Sequence, residues 1–169
     1  MQVTRLVRPG RVFAATLACV LVGGCAFFQR GPKVETPPPP PQPTKIGVKI
    51  ICTADGNRCG NNPAPLNFKV IQLSDTSMSA CRVLRDCWGQ EAIRFGGSLL
   101  DMVGDYVSPT DIAKREWKLE LNPKPGVKAV LVLGNFCNPL VTWYRMVPVT
   151  KKVQISLIAG PDGFKEQQN

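Results

Sequence analysis

The chain has 169 residues, with 21 Lys and Arg against 12 Asp and Glu, no histidine and a formal net charge of +9. Without histidine there is no Ser-His or Cys-His pair and no His-ligated metal site. The 12 acidic residues form no carboxylate motif, so no catalytic residue, metal or cofactor is expected. The basic residues are scattered and do not alternate with aromatics, which argues against nucleic acid. A solvated surface, or attraction to anionic lipid and acidic partners, fits this charge better.

In chain order, Arg5, Arg8 and Arg11 lead into the apolar run Val12–Val22, followed by Gly23, Gly24 and Cys25. A basic start, a short apolar core and small residues before a cut are the parts of a secretory signal. The run is 11 residues, where a spanning helix needs about 20. Val22-Gly23-Gly24-Cys25 looks like a lipobox, the site where bacterial lipoproteins are cleaved and acylated. Residues 1–24 are therefore expected to leave, with Cys25 the lipid-bearing first residue of an exported protein. Several acyl chains on one residue make anchoring stable. Ala26 stands where an inner-membrane retention signal usually places Asp, which favours lipid anchoring at the periplasmic face of the outer membrane. Loss of the three arginines takes the charge from +9 to +6.

Residues 25–44 form the lipid-bearing start and a linker, with Pro37 to Pro41 in a row and Pro43 beyond. Such runs extend as polyproline II, about 3.1 Å per residue, and hold a domain off the bilayer. Residues 45–169 are one domain, long enough to bury a core.

Five cysteines remain after Cys19 and Cys25: Cys52, Cys59, Cys81, Cys87 and Cys137. Export permits disulfides. Five cysteines allow 15 ways to form two bridges, and one must be left over. The Gly/Asn-rich stretch between Cys52 and Cys59 could fold back. Cys81 and Cys87 would lie about 9 Å apart along an unbroken helix, beyond disulfide reach. They can bridge only if a helix bends or ends between them. The expected pairs are Cys52–Cys59 and Cys81–Cys87, with Cys137 over.

Lys45–Thr53 alternates as a strand, a Gly/Asn/Pro loop follows, and Asn67–Leu73 is a second strand apolar on both faces. From Ser79 to Val103 the spacing turns helical, with Ala92, Phe95, Leu99, Met102 and Val103 on one stripe. Gly96-Gly97 breaks it, and Ser98 is placed to cap a last helix beginning at Leu99. Strands resume at Glu116–Leu121, Val127–Phe136, Val141–Val149 and Val153–Ile158, and the tail from Gly160 is expected to fray. Trp88, Trp117, Trp143 and Tyr144 are read as core. The pattern predicts a mainly β, two-sheet sandwich with a short helical insertion between the second and third strands.

Several phrases in this order carry a resemblance. Pro63-Ala64-Pro65 leads into Phe68-Lys69-Val70-Ile71-Gln72-Leu73-Ser74-Asp75. Arg115-Glu116-Trp117-Lys118-Leu119-Glu120-Leu121-Asn122-Pro123 follows the insert, and Val130–Phe136 and Trp143–Val149 close the domain. Together with the lipobox, the chain resembles the TssJ family (SciN-like), the outer-membrane lipoproteins of the type VI secretion system. The resemblance implies a transthyretin-like sandwich with an added helical segment. It also implies binding to the periplasmic C-terminal domain of TssM, and indirect association with TssL. In the family the loop after the first strand contributes to that binding. The corresponding candidates here are Ala54, Asp55, Gly56, Asn57, Arg58, Asn61, Asn62 and Pro63. The competing expectation is a pilotin-like lipoprotein module of another envelope assembly.

Replacing Cys25 tests the first half of this reading. Cys25→Ser in the full chain should abolish incorporation of labelled palmitate and release the protein from the membrane fraction. Undiminished labelling would remove the acylation site.

Overall fold

The computed structural model describes residues 45–77, 81–150 and 152–167. The signal, Cys25 and the proline-rich linker lie outside them. The described part belongs to one compact unit, Pro39–Asn169.

Two four-stranded sheets form it. The first runs in the order β10-β9-β1-β6, from β10 (Gly163–Glu166), β9 (Val153–Gly160), β1 (Ile46–Cys52) and β6 (Glu116–Leu121). Its β1 and β9 are parallel and its other pairs antiparallel. The second runs β5-β4-β7-β8, all antiparallel, from β5 (Leu99–Val107), β4 (Leu66–Leu73), β7 (Ala129–Gly134) and β8 (Tyr144–Pro148). A two-stranded ribbon, β2 (Arg58–Cys59) with β3 (Asn62–Pro63), rises from the loop between β1 and β4. The mainly β sandwich expected from the sequence is the fold observed.

Period-two alternation sets what each strand buries. Ile46, Val48, Ile50 and Cys52 of β1 point inward, against Ile155, Leu157 and Ala159 of β9. Across the gap, Leu66, Phe68 and Val70 of β4 face them, and Phe68 meets Trp117 of β6 edge-to-face at 4.8 Å. Trp117 Nε1–H donates to Asp105 at 2.9 Å, so the ring's polar end is satisfied beside the core. At the far end of β4 the buried Gln72 amide is bonded at both its nitrogen and its oxygen. It donates to the Asn122 carbonyl at 3.0 Å and accepts from Lys124 N–H at 2.8 Å, bracing the β6–β7 turn.

The outer face of the second sheet is covered too, as a strand apolar on both sides requires. Ile71, Leu131 and Leu133 are fully buried there. The cover is the insert between β4 and β5. It holds two short helices, α1 (Leu84–Cys87) and α2 (Glu91–Phe95), and a 3-10 turn at Gly96–Ser98. Lys69 of β4 ties it down: its ammonium lies 4.7 Å from the Trp88 ring centre and 2.7 Å from Glu91. Gly96 stops α2 at a backbone φ of +49°, which L side chains rarely adopt. The expected helical break at Gly96-Gly97 therefore stands.

Two expectations are corrected. Leu99–Val107 is a strand, β5, rather than a last helix capped by Ser98. Phe95, Leu99, Met102 and Val103 mimic a helical stripe, but β5 pairs with β4 throughout, and Met102 is exposed while Val103 packs on the core. The tail does not fray at Gly160. Gly163–Glu166 forms β10 and buries Phe164 completely. Its ring stacks edge-to-face on Phe136 at 5.1 Å and lies where a Cβ at Gly134 would clash.

Glu91 carries the pH dependence of the insert. Burial alone would raise its pKa, but Lys69 and the backbone N–H groups of Glu91 and Gly89 hold it below the usual carboxylate value. A carboxylate depressed in the folded state stabilises above its unfolded pKa and loses that contribution as pH falls through the folded one. Glu91→Gln should thus cost about 1–3 kcal/mol in denaturant unfolding at pH 7. The difference from wild type should close below about pH 4.

Candidate docking tip of the sandwich

The connections sort to the two ends of the sandwich. Lys45 leads into β1 at one end, which also holds the β6–β7 and β8–β9 turns. The other end gathers the loops after β1, β5 and β7 and the β9–β10 turn. The candidate loop, residues 54–65, is therefore at the tip opposite Lys45.

Asn57 organises that tip. It is 3% exposed and its φ is +45°, a left-handed conformation that Asn tolerates better than most residues. Its side-chain amide donates to the Pro65 carbonyl at 2.7 Å. Its Oδ1 accepts from Cys137 N–H at 2.9 Å, and its own carbonyl accepts from Ala64 N–H at 2.9 Å. One side chain thus joins the two arms of the loop and the start of the 135–142 loop. The Cys59–Cys137 disulfide joins the same two loops covalently, with Cα atoms 5.1 Å apart. Between them lies a depression of about 440 Å³, bordered by Asn57, Arg58, Phe136 and Asn138.

The cysteine pairing departs from expectation at Cys52. Cys81–Cys87 forms as expected, with Cα atoms 5.4 Å apart, because α1 begins only at Leu84. Cys52, however, is a free thiol and Cys59 bridges Cys137, so the Cys52–Cys59 pair does not form. Cys52 lies on the inward face of β1 with no exposure. As the loop folds back it lays Gly56, not Cys59, over that sulfur: a Cβ at Gly56 would stand 3.1 Å from Cys52 Sγ. Burial pushes the Cys52 pKa up to about 11, which keeps the thiol protonated and unreactive.

The eight candidate residues divide into two groups. Gly56 and Asn57 are buried and serve as frame. Ala54, Asp55, Arg58, Asn61, Asn62 and Pro63 are exposed, within reach of a partner. The Thr53 side chain, Asp55's own backbone and the nearby cations Arg58 and Lys165 hold the Asp55 carboxyl below its usual pKa. The tip therefore presents charge of both signs. Reasoning from sequence missed the 135–142 loop as part of this tip. The odd fifth cysteine, Cys137, was the one signal pointing to it.

Two sheets, a helical cover over the second and loops gathered at the end opposite the first strand's start define the class: a mainly β sandwich with a helical insertion. Solved structures of that fold match the chain. Lip of Serratia marcescens, a membrane bound component of the type VI secretion system, aligns at TM-score 0.67 and 17% identity. The alignment covers 75% of this chain and 98% of that one. The type VI lipoprotein TssJ1 of Pseudomonas aeruginosa aligns at TM-score 0.62 and 14% identity, over 75% and 98%. A chain in the structure of the TssM C-terminal domain (869-1107) from EAEC aligns at TM-score 0.58 and 9% identity, over 74% and 98%. No protein-family model and no curated protein matches.

Asn57→Ala should remove the bond to Pro65 and leave the Cys137 N–H without a partner, at about 1–3 kcal/mol. Thermal unfolding would read the loss, and hydrogen exchange should quicken at Cys137 while β7 stays protected. Unchanged exchange at Cys137 would show that Asn57 does not join the loops.

Proposed function

We propose that this chain is a TssJ-family outer-membrane lipoprotein of a type VI secretion membrane complex. It carries no catalysis and binds the periplasmic C-terminal domain of TssM through the exposed residues of the 54–65 loop. The observation that carries the reading is the fold shared with Lip and TssJ1 over 98% of the length of each. Two others support it. A chain of this fold is present in the structure of a TssM C-terminal domain. The polar, loop-built tip also lies opposite Lys45, the side from which the lipid-bearing linker arrives. Acylated Cys25 would hold the protein on the periplasmic face of the outer membrane, and the tip would then face the inner membrane. Contact with TssL would be indirect, through TssM.

Charge reversal tests the loop. The double variant Asp55→Lys, Arg58→Glu, in the full-length protein extracted in detergent, should weaken capture of the TssM C-terminal domain from the same genome about tenfold or more. Capture equal to wild type would move the interface elsewhere. No capture by wild type itself would leave a lipoprotein of this fold serving another assembly, of the pilotin kind.

A further inference from the structure

We propose that the 135–142 loop is the second half of the docking surface, with Leu140 as its apolar anchor. The Cys59–Cys137 disulfide and Asn57 hold it and the 54–65 loop as one rigid unit against the TssM domain. This inference rests on the reading in the preceding section and extends it to a loop and a residue that reading does not use.

Leu140 is the starting point. It is 92% exposed, the most exposed large apolar side chain among the described residues. A single exposed Leu is ordinary on a protein surface. What sets this one apart is its mounting. Its backbone N–H donates to Asn138 Oδ1 at 3.0 Å, which shapes the turn that presents it. Three residues earlier the chain is fixed by the disulfide from Cys137 and by the Cys137 N–H bond to Asn57. Two residues later Thr142 is fixed on both sides: its N–H donates to the Asp162 carbonyl at 3.1 Å and its carbonyl accepts from Phe164 N–H at 2.8 Å. The loop is thus tied at each foot, and its crown carries an apolar side chain that packs on nothing in its own chain.

Tying down a loop stabilises its free form in the shape that binds. Less entropy is then lost when a partner orders it. Apolar anchors ringed by polar groups are where interfaces concentrate their energy. Leu140 is bonded through its N–H to Asn138, which borders the tip depression together with Arg58, so polar groups stand at the same end of the domain.

The occupant is a protein rather than a lipid surface on two grounds. Residues 25–44, with Cys25 at their head, precede Lys45, which enters the domain at the opposite end. The charges at the tip are mixed: Asp55 beside Arg58, and Lys165 paired with Asp162 at 2.7 Å. Anionic bilayers select clusters of Lys and Arg, whereas a protein partner can match both signs.

The test uses the full-length protein in detergent and the purified TssM C-terminal domain. Leu140→Asp should raise Kd about tenfold or more, with Leu140→Met within about threefold of wild type. Because Leu140 is exposed, the melting temperature of both should be unchanged. The double variant Cys59→Ser, Cys137→Ser should weaken binding several-fold, with its folding checked by the same melt. Suppose Leu140→Asp binds like wild type while charge reversal at Asp55 and Arg58 still weakens capture. The second loop is then excluded and the first-loop reading stands. Absence of binding by wild type overturns both. If Leu140→Asp keeps the partner but, in the unacylated Cys25→Ser background and without detergent, loses adsorption to phosphatidylethanolamine–phosphatidylglycerol vesicles, the loop is a lipid contact and the inference is overturned.

Discussion

Burial of β4 on both faces is the constraint on which the rest of the structure depends. A strand that carries Leu66, Phe68 and Val70 on one side and Ile71 and Leu73 on the other has no face to give to water. One side demands a second sheet and the other demands a lid. The first demand brings β1, with β6 and β9 beside it, across the core. The second explains why the chain leaves β4 into two short helices before it returns as β5. Those helices are too short to be stable alone. They persist because Trp88 and Glu91 are held by Lys69, and because Cys81–Cys87 closes the segment that leads into α1.

The same strand positions the tip. Leu66 follows directly on the candidate loop, so the second arm of that loop is welded to the centre of a sheet. The first arm leaves β1 at Cys52, whose backbone N–H donates to the Arg115 carbonyl. A loop with both feet in core strands needs little to become rigid. Asn57 supplies it from within, using the left-handed conformation to turn its amide toward both arms and the neighbouring loop.

Much of this was legible in the sequence, and the failures have physical causes. β1, β6 and β9 announced themselves because apolar residues recur at every second position: Ile46, Val48 and Ile50; Trp117, Leu119 and Leu121; Val153, Ile155 and Leu157. The apolar character of both sides of β4 signalled its two covers. β5 was hidden because Leu99, Met102 and Val103 fall at helical spacing, while its inward positions include Asp101 and Asp105, acids that a pattern reading assigns to solvent. Asp105 is tolerated there since it accepts from the Trp117 indole, a partner twelve residues away. β10 escaped because Phe164 is one buried residue among polar ones, recruited by the space over Gly134. The Cys59–Cys137 bridge spans 78 residues and follows from the register of β4 on β7, which no local spacing encodes. At the tip, sequence reading found the loop but could not separate frame from surface. Gly56 and Asn57 are as polar and turn-forming as their exposed neighbours, and only the fold turns them inward.

The placement of Lys45 and the tip at opposite ends has a mechanical side. β1 alone connects them: the chain passes from Lys45 through Ile46–Cys52 straight into the loop. Under the proposed function, a pull between a membrane tether and a partner held at the tip would therefore run along the axis of β1. That strand is flanked on one edge by β6 and on the other by β9. Load passed from that strand to the rest of the domain, as through the 135–142 loop that follows β7, puts both ladders in shear, so that many hydrogen bonds must yield together instead of one after another. The parallel β1–β9 pairing, at first sight an irregularity in an antiparallel fold, is what gives the load-carrying strand a second neighbour.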